Sequence, residues 1–125
     1  MRLDHLILPV NDLEATLAYY CDVLGFTRSG EEGPFQVIRC AEDFVMLLSP
    51  FGTEGGTHLA FVLDKPEFDI AFARIKSSGV AYGSHYHDTT NMADPAPEFG
   101  ARGATMSLYL NDPNNHLIEL LYYGD

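Results

Sequence analysis

The chain has 125 residues, with 7 Lys and Arg against 18 Asp and Glu and a formal net charge of −11. This length predicts one domain with its own core, and the acidic charge disfavours nucleic acid and anionic membranes as partners. No apolar run approaches the roughly 20 residues of a membrane-spanning helix. The N-terminal residues do not resemble a secretion signal. We therefore expect a cytoplasmic protein, with Cys21 and Cys40 as core thiols.

The first half of the chain predicts a strand, a helix and three short strands. Residues 3–10 alternate in hydrophobicity, with His5 on one face of the predicted strand. Asn11 followed three residues later by Glu14 resembles a capping box, so a helix is expected from there until Gly25. Three β-type segments follow, at residues 26–29, 35–40 and 44–49.

The second half repeats this order after a glycine-rich linker at residues 51–56. A predicted strand carries His58 as its second residue, and Asp64 and Pro66 mark the start of a helix that ends at Gly79. The expected strands are residues 57–63, 80–84, 105–110 and 116–122. The sequence thus predicts an α+β protein of two βαβββ modules, residues 1–50 and 57–125, within a single domain.

A long segment without predicted structure, residues 83–103, interrupts the second module. Loops of this length are often functional, so a lid and a mobile surface insertion are both open interpretations. The segment contains His85, His87 and Asp88, which offer an alternative metal site.

Glu119 is the unusual residue of the last predicted strand, because Leu, Ile and Tyr surround it. A buried carboxylate is normally paired, protonated or bound to a metal, since an unpaired buried charge is costly. One interpretation is a salt bridge with an arginine, of which the candidates are Arg39, Arg74 and Arg102. The other is a metal site in which His5 and His58, one from the first strand of each module, join Glu119.

Two imidazoles and one carboxylate leave coordination positions open, as metal catalysis requires. This ligand set suits Fe(II), Mn(II), Ni(II), Co(II) or Zn(II) better than magnesium or calcium. When the last strands of the two modules are aligned, Leu47 occupies the position of Glu119. We therefore expect three protein ligands and no fourth.

Four segments of the chain resemble the vicinal oxygen chelate superfamily, which includes glyoxalase I, extradiol dioxygenases, fosfomycin-modifying transferases, methylmalonyl-CoA epimerase and bleomycin-binding proteins. They are LDHLILPVNDL at residues 3–13, YYCDVLGF at 19–26, THLAF at 57–61 and YLNDPNNHLIEL at 109–120. The family's usual Asp-Pro-Asp-Gly turn is Asp112-Pro113-Asn114-Asn115 here. The resemblance covers nearly the whole chain and is specific to the superfamily, but to no single activity.

The resemblance implies sheets that curl into an open, glyoxalase-like half-barrel, completed by dimerisation, with a divalent metal held by His5, His58 and Glu119. Leu47 departs from the four-ligand glyoxalases and epimerases. Arg102 without a neighbouring lysine departs from the fosfomycin-modifying members.

The leading hypothesis is a metal-dependent enzyme that binds a small substrate through two adjacent oxygens. The ligand set favours chemistry of the extradiol-dioxygenase type. Tyr109, His85 and His87 are candidate acid–base or supporting residues. The alternatives are a lyase or isomerase of glyoxalase type and a metal-free small-molecule or antibiotic-binding protein of bleomycin-resistance type.

Overall fold

The computed structural model describes residues 1–124 and separates them into two compact units, with the boundary along the chain between Gly55 and Gly56. Each unit contains one sheet and one main helix in the order strand, helix, three strands. The predicted α+β class with two βαβββ modules is therefore confirmed. The assignment of both modules to a single domain stays a prediction.

The first unit forms a four-stranded sheet in the order β1-β4-β3-β2, with β1 parallel to β4 and the other pairs antiparallel. Along β1, His5 and Ile7 are exposed while Leu8 is buried, as the alternating pattern predicts. The elements are β1 (His5–Pro9), α1 (Leu13–Ala18), a π-helical turn (Tyr19–Val23), β2 (Thr27–Glu32), β3 (Phe35–Ala41) and β4 (Phe44–Ser49).

The start of α1 differs from the prediction. Asp12, and not Asn11, caps the helix, and its carboxylate accepts a hydrogen bond from the backbone N–H of Ala15 at 3.0 Å. The Asn11 side chain instead accepts from the backbone N–H of Thr53 at 2.8 Å. Asn11 therefore fixes the segment after β4 against the segment before α1.

The predicted end of β2 at Ser29 is also wrong, because the strand continues to Glu32. Its register with β3 shifts between Arg28 and Glu31, where Gly30 adopts a φ of +92°. A bulge of this kind inserts a residue without ending the strand.

The second unit forms a sheet in the order β5-β8-β7-β6, with β5 parallel to β8. Its elements are β5 (His58–Val62), α2 (Lys65–Ser78), β6 (Ala96–Gly100), β7 (Gly103–Asn111) and β8 (Leu117–Tyr123). The helix α2 begins with a capping box between Asp64 and Glu67 and ends at Gly79, whose φ is +79°. Its buried face consists of Phe68, Ala71 and Ile75.

The edge strand of this sheet is not the predicted one. Residues 80–84 form no strand and make only an isolated bridge, between Gly83 and Tyr109. The edge position belongs to β6, inside the segment that was expected to have no regular structure. Pro95 and Pro97 concealed it in the sequence, yet an edge strand tolerates proline because one side of its backbone needs no partner.

The two sheets share one register at the positions of interest. His5 pairs with Val45 and His58 with Leu117. Two residues further along, Ile7 pairs with Leu47 and Ala60 with Glu119, so Leu47 and Glu119 occupy equivalent positions in the two units.

Candidate functional site

Glu119 lies in the middle of β8 with its side chain only 7% exposed. Its Oε1 lies 3.0 Å from His58 Nε2 on β5, and its Oε2 accepts a hydrogen bond from Ser107 Oγ on β7 at 2.9 Å. Within residues 1–124 the ion pair of this carboxylate is with His58 and not with Arg39, Arg74 or Arg102. Both oxygens of Glu119 are thus held by strands on either side of it.

Hydroxyl groups of β7 continue this network. Thr105 Oγ1 lies 2.8 Å from Ser107 Oγ, and both residues are buried together with Tyr109. Burial, followed by the negative charge of Glu119, raises the pKa of Tyr109 well above its ordinary value. Residues two apart on a strand share a face. Thr105, Ser107 and Tyr109 therefore lie on the same face of the sheet as Glu119, which pairs with Tyr109.

His58 and Glu119 line a cavity of about 360 Å³ in the second unit. The His58 side chain is 49% exposed whereas that of Glu119 is 7% exposed, so the imidazole faces solvent and the carboxylate lies beneath it. The remaining lining is mainly apolar: Ala60, Val62, Phe99, Gly100, Ala101, Arg102, Leu121 and Tyr123. This arrangement combines an apolar wall with one polar pair, as small-molecule sites commonly do.

The end of the cavity formed by the β6–β7 hairpin carries a cation. The guanidinium of Arg102 lies over the ring of Tyr123, with Cζ 4.4 Å from the ring centroid. The backbone N–H of Arg102 also donates to the Tyr123 hydroxyl at 3.1 Å. Arg102 and Tyr123 are therefore joined by two contacts at this end of β8.

His5, the remaining predicted ligand, belongs to the first unit at the start of β1. Its Nδ1 lies 2.7 Å from Asp4 Oδ2, and donation to this carboxylate leaves Nε2 as the free acceptor. Within residues 1–124 no group of three or more His, Cys, Asp or Glu side chains is placed to hold a metal ion. The structure thus brings together His58 and Glu119, and the role of His5 stays a prediction.

The His58–Glu119 pair fits a divalent metal in chemistry and spacing. Imidazole nitrogen and carboxylate oxygen are the ligands that Fe(II), Mn(II) and Zn(II) commonly take. His58 Nε2 and Glu119 Oε1 lie 3.0 Å apart, so the two donor atoms are already together at one place in the cavity wall. Ser107 fixes the second carboxylate oxygen, which is the kind of supporting contact that orients metal ligands.

The loop histidines lie elsewhere in this unit. The rings of His85 and His87 stack with centroids 5.5 Å apart, and the backbone N–H of Asp88 donates to the carbonyl of His85 at 3.0 Å. Of the residues that the structure describes, those lining the cavity include neither loop histidine nor Tyr109. The alternative metal group of His85, His87 and Asp88 is not formed within residues 1–124.

Sequence reasoning missed Ser107 as the partner of Glu119 and Asp4 as the partner of His5. The period-two run of polar residues Thr105, Ser107 and Tyr109 in an otherwise apolar strand was the available signal for the first. No comparable signal marked Asp4, because exposed acidic residues are frequent in this chain.

A family model described as Glyoxalase/Bleomycin resistance protein/Dioxygenase superfamily matches residues 2–120. The chain belongs to this superfamily. The resemblance proposed from the four sequence segments is therefore confirmed.

Among residues 1–124, no helix combines the length and the apolar character needed to cross a membrane.

A virulence protein of Salmonella typhimurium is 29% identical over 131 residues, covering 98% of this chain and 84% of that protein. Its crystal structure matches with a TM-score of 0.78 and 26% identity, covering 99% of this chain and 98% of that one. The structure of the oxidase ChaP-H2 matches with a TM-score of 0.78 and 26% identity, covering 99% and 94% of the two chains. These superfamily relatives share the fold across essentially the full chain.

A catechol-2,3-dioxygenase of Bacillus subtilis is 29% identical over 129 residues, covering 94% of this chain. This chain spans only 39% of the length of that dioxygenase. Superfamily membership and fold are thus established, whereas metal dependence, dimerisation, the reaction and a cytoplasmic location stay predictions.

Proposed function

We propose that this protein is a divalent-metal-dependent enzyme that binds a small substrate through two adjacent oxygens, with ring-cleaving dioxygenase chemistry favoured. The observation that carries the proposal is the 3.0 Å contact between His58 Nε2 and the buried Glu119 Oε1 in the wall of a mainly apolar cavity. Similarity to an oxidase and to a catechol-2,3-dioxygenase supports it.

The proposed metal ligands are His58, Glu119 and His5, with His5 supplied either by the same chain or by a second copy in a homodimer. When bound, the metal would act as a Lewis acid toward the paired substrate oxygens. Two imidazoles and one carboxylate leave open positions for such a substrate, and Leu47 provides no fourth ligand to fill them.

The protein's own groups orient the ligands and control protons. Ser107 holds Glu119 Oε2, so the opposite oxygen points toward His58. Tyr109 keeps its proton well into the alkaline range, because burial and the charge of Glu119 raise its pKa. A neutral phenol is able to donate a hydrogen bond, and it adds no second negative charge beside that of Glu119.

His85 and His87 remain the proposed acid–base residues, and we propose as a lid the part of segment 83–103 that precedes β6. Ring cleavage needs a group that exchanges protons near neutral pH, and imidazole is the side chain suited to this. Their stacked rings occupy a segment between α2 and β6. In this proposal, closure of the segment brings them to the substrate.

The second candidate is a metal-free protein that binds small molecules. The observation favouring it is that His58 and Glu119 already satisfy one another by direct contact, so the buried carboxylate is paired without a metal. The same apolar cavity then serves as a binding pocket.

Metal analysis followed by oxygen uptake tests the two candidates. We expect the purified protein, loaded anaerobically with Fe(II), to bind about one metal per chain and to consume oxygen with members of a catechol panel. Metal uptake with no oxygen consumption would contradict dioxygenase chemistry and favour a lyase or isomerase. No metal after loading with Fe, Mn, Ni, Co or Zn would contradict the enzyme proposal and favour the binding protein.

A further inference from the structure

The cavity of the second unit has two chemically different ends along β8. One end holds His58 and Glu119, and the other holds Arg102 and Tyr123. Glu119 and Tyr123 are four residues apart on the same strand, so they face the same side and their Cα atoms stand about 13 Å apart. Leu121, on the same face between them, provides an apolar surface.

Arg102 is held in place by its contacts with Tyr123, and Gly100 leaves room for the Tyr123 side chain. A Cβ atom on Gly100 would lie 2.6 Å from the Tyr123 hydroxyl, so a larger residue there would displace that hydroxyl from its present position. The Tyr123 hydroxyl accepts from the Arg102 backbone, and the Tyr123 ring supports the guanidinium. Such stacking leaves the edge of the guanidinium available for a further partner.

The charge of Arg102 is not neutralised by a carboxylate among residues 1–124. Other basic residues of this acidic chain do pair with a carboxylate, since Arg2 lies 3.8 Å from Asp43 and Lys65 lies 2.9 Å from Asp69. The ion pairs of the described residues include none for Arg102, although the chain has 18 Asp and Glu. An oriented guanidinium that pairs with no carboxylate of residues 1–124, at the end of a mainly apolar cavity, is suited to a carboxylate on a ligand.

We propose that Arg102 forms an anion subsite that selects elongated aromatic substrates bearing a carboxylate at the end remote from their two adjacent oxygens. The inference rests on the proposed function for the placement of those oxygens at His58 and Glu119. The aromatic body lies against Leu121, Val62 and Phe99, and the carboxylate pairs with the Arg102 guanidinium. The roughly 13 Å between the two ends of the strand segment favours fused or linked rings over a single ring.

Binding of two matched ligands tests this assignment. The first is a dihydroxynaphthoate whose adjacent hydroxyls and carboxylate lie at opposite ends of the fused rings, and the second is the dihydroxynaphthalene without the carboxylate. We expect the carboxylate to tighten binding to the parent protein by about tenfold or more, measured by calorimetry at low salt. In Arg102→Gln this advantage is lost, whereas the affinity for the neutral diol changes by less than about twofold.

Two further variants make the result specific. Arg28→Gln removes an equal charge from the first unit, where Arg28 lies 3.7 Å from Glu14, and is expected to keep the full carboxylate advantage. Arg102→Lys keeps the positive charge but loses the planar group that stacks on Tyr123. This variant is expected to retain only part of the carboxylate advantage. Equal affinities for the two ligands in the parent, no binding of either, or equal weakening of both in Arg102→Gln would each overturn the proposal.

A naphthoate without hydroxyl groups separates this inference from the proposed function. If the protein binds no metal but binds this naphthoate in an Arg102-dependent way, the anion subsite stands and the enzyme proposal fails. If the protein binds metal and consumes oxygen with catechols but Arg102→Gln leaves the carboxylate advantage unchanged, the enzyme proposal stands and the anion subsite fails.

Discussion

His58 and Glu119 meet diagonally across the parallel strands β5 and β8. The backbone partner of His58 is Leu117 and that of Glu119 is Ala60, yet the side chains meet with Nε2 and Oε1 3.0 Å apart. Because Ala60 is small, the imidazole has room to reach along the strand toward the carboxylate. In the first unit, Ile7 occupies the position of Ala60 and Leu47 the position of Glu119, so the strand beside β1 offers His5 no carboxylate and its acidic partner is its chain neighbour Asp4.

Replacing Glu119 by glutamine is expected to abolish metal binding. The amide keeps the size of the side chain but removes the negative charge that attracts the ion. Loss of a supporting partner alone typically costs about 10–100-fold in metal affinity, so loss of a ligand is expected to cost at least about a hundredfold. Metal titration followed by calorimetry measures this. Glu32→Gln, on the exposed strand β2, is the control, and equal affinities in the two variants would contradict the assignment.

Ser107→Ala is expected to weaken metal binding by about tenfold while the protein stays folded. The substitution removes the hydrogen bond that holds Glu119 Oε2 at 2.9 Å, so the carboxylate loses its fixed orientation. The same titration measures the affinity, and circular dichroism checks the fold. Ser49→Ala removes a similarly buried serine from β4 in the first unit. If Ser49→Ala and Ser107→Ala lower the affinity equally, the effect is general destabilisation and not ligand positioning.

Tyr109 is expected to make the folded protein less stable as the pH rises above about 10. Burial and the charge of Glu119 raise the pKa of Tyr109, so the folded state retains a proton that the unfolded chain has lost. The contribution of Tyr109 to the free energy of unfolding is therefore fully present below the pKa of tyrosine in the unfolded chain. It declines as the pH rises above that value. The thiol pKa values of Cys21 and Cys40, also raised by burial, contribute a decline in the same direction.

Urea unfolding at increasing pH measures this decline. We expect Tyr109→Phe to show a shallower loss of unfolding free energy between about pH 9 and pH 11 than the parent. Tyr86→Phe, which alters an exposed tyrosine, serves as the control and should follow the parent. Parallel curves for Tyr109→Phe and the parent would show that the phenol does not govern alkaline stability.

The origin of His5 in the metal site is decided by mixing two inactive variants. His5→Ala and Glu119→Ala are each expected to lose metal and activity alone. If sites take His5 from one chain and Glu119 from the other, a mixed dimer contains one intact site, and co-expression restores activity. If each site uses one chain, no mixture has an intact site. Full activity of His5→Ala alone would exclude His5 from the ligand set altogether.

The repeated order of elements and the equivalent placement of two histidines could both be predicted from the amino-acid sequence. Local patterns carry this information: alternation gives the strands, and the residues around Asp64 and Gly79 start and end α2. Such signals lie within a few residues of one another, so they remain visible in a single chain. The same local signals failed for β6, where Pro95 and Pro97 obscured an edge strand.

The surroundings of Glu119, and the residues at the other end of its cavity, became known only from the packing of the strands. The decisive contacts join residues distant in sequence, since His58 and Glu119 are 61 positions apart, Arg102 and Tyr123 21 apart, and Ser107 and Glu119 12 apart. These contacts depend on strand order and register, because one residue of slippage would turn each side chain to the opposite face. Glu119 was recognisable in the sequence as a carboxylate that needed a partner, and the β5-β8-β7 arrangement supplied His58 and Ser107.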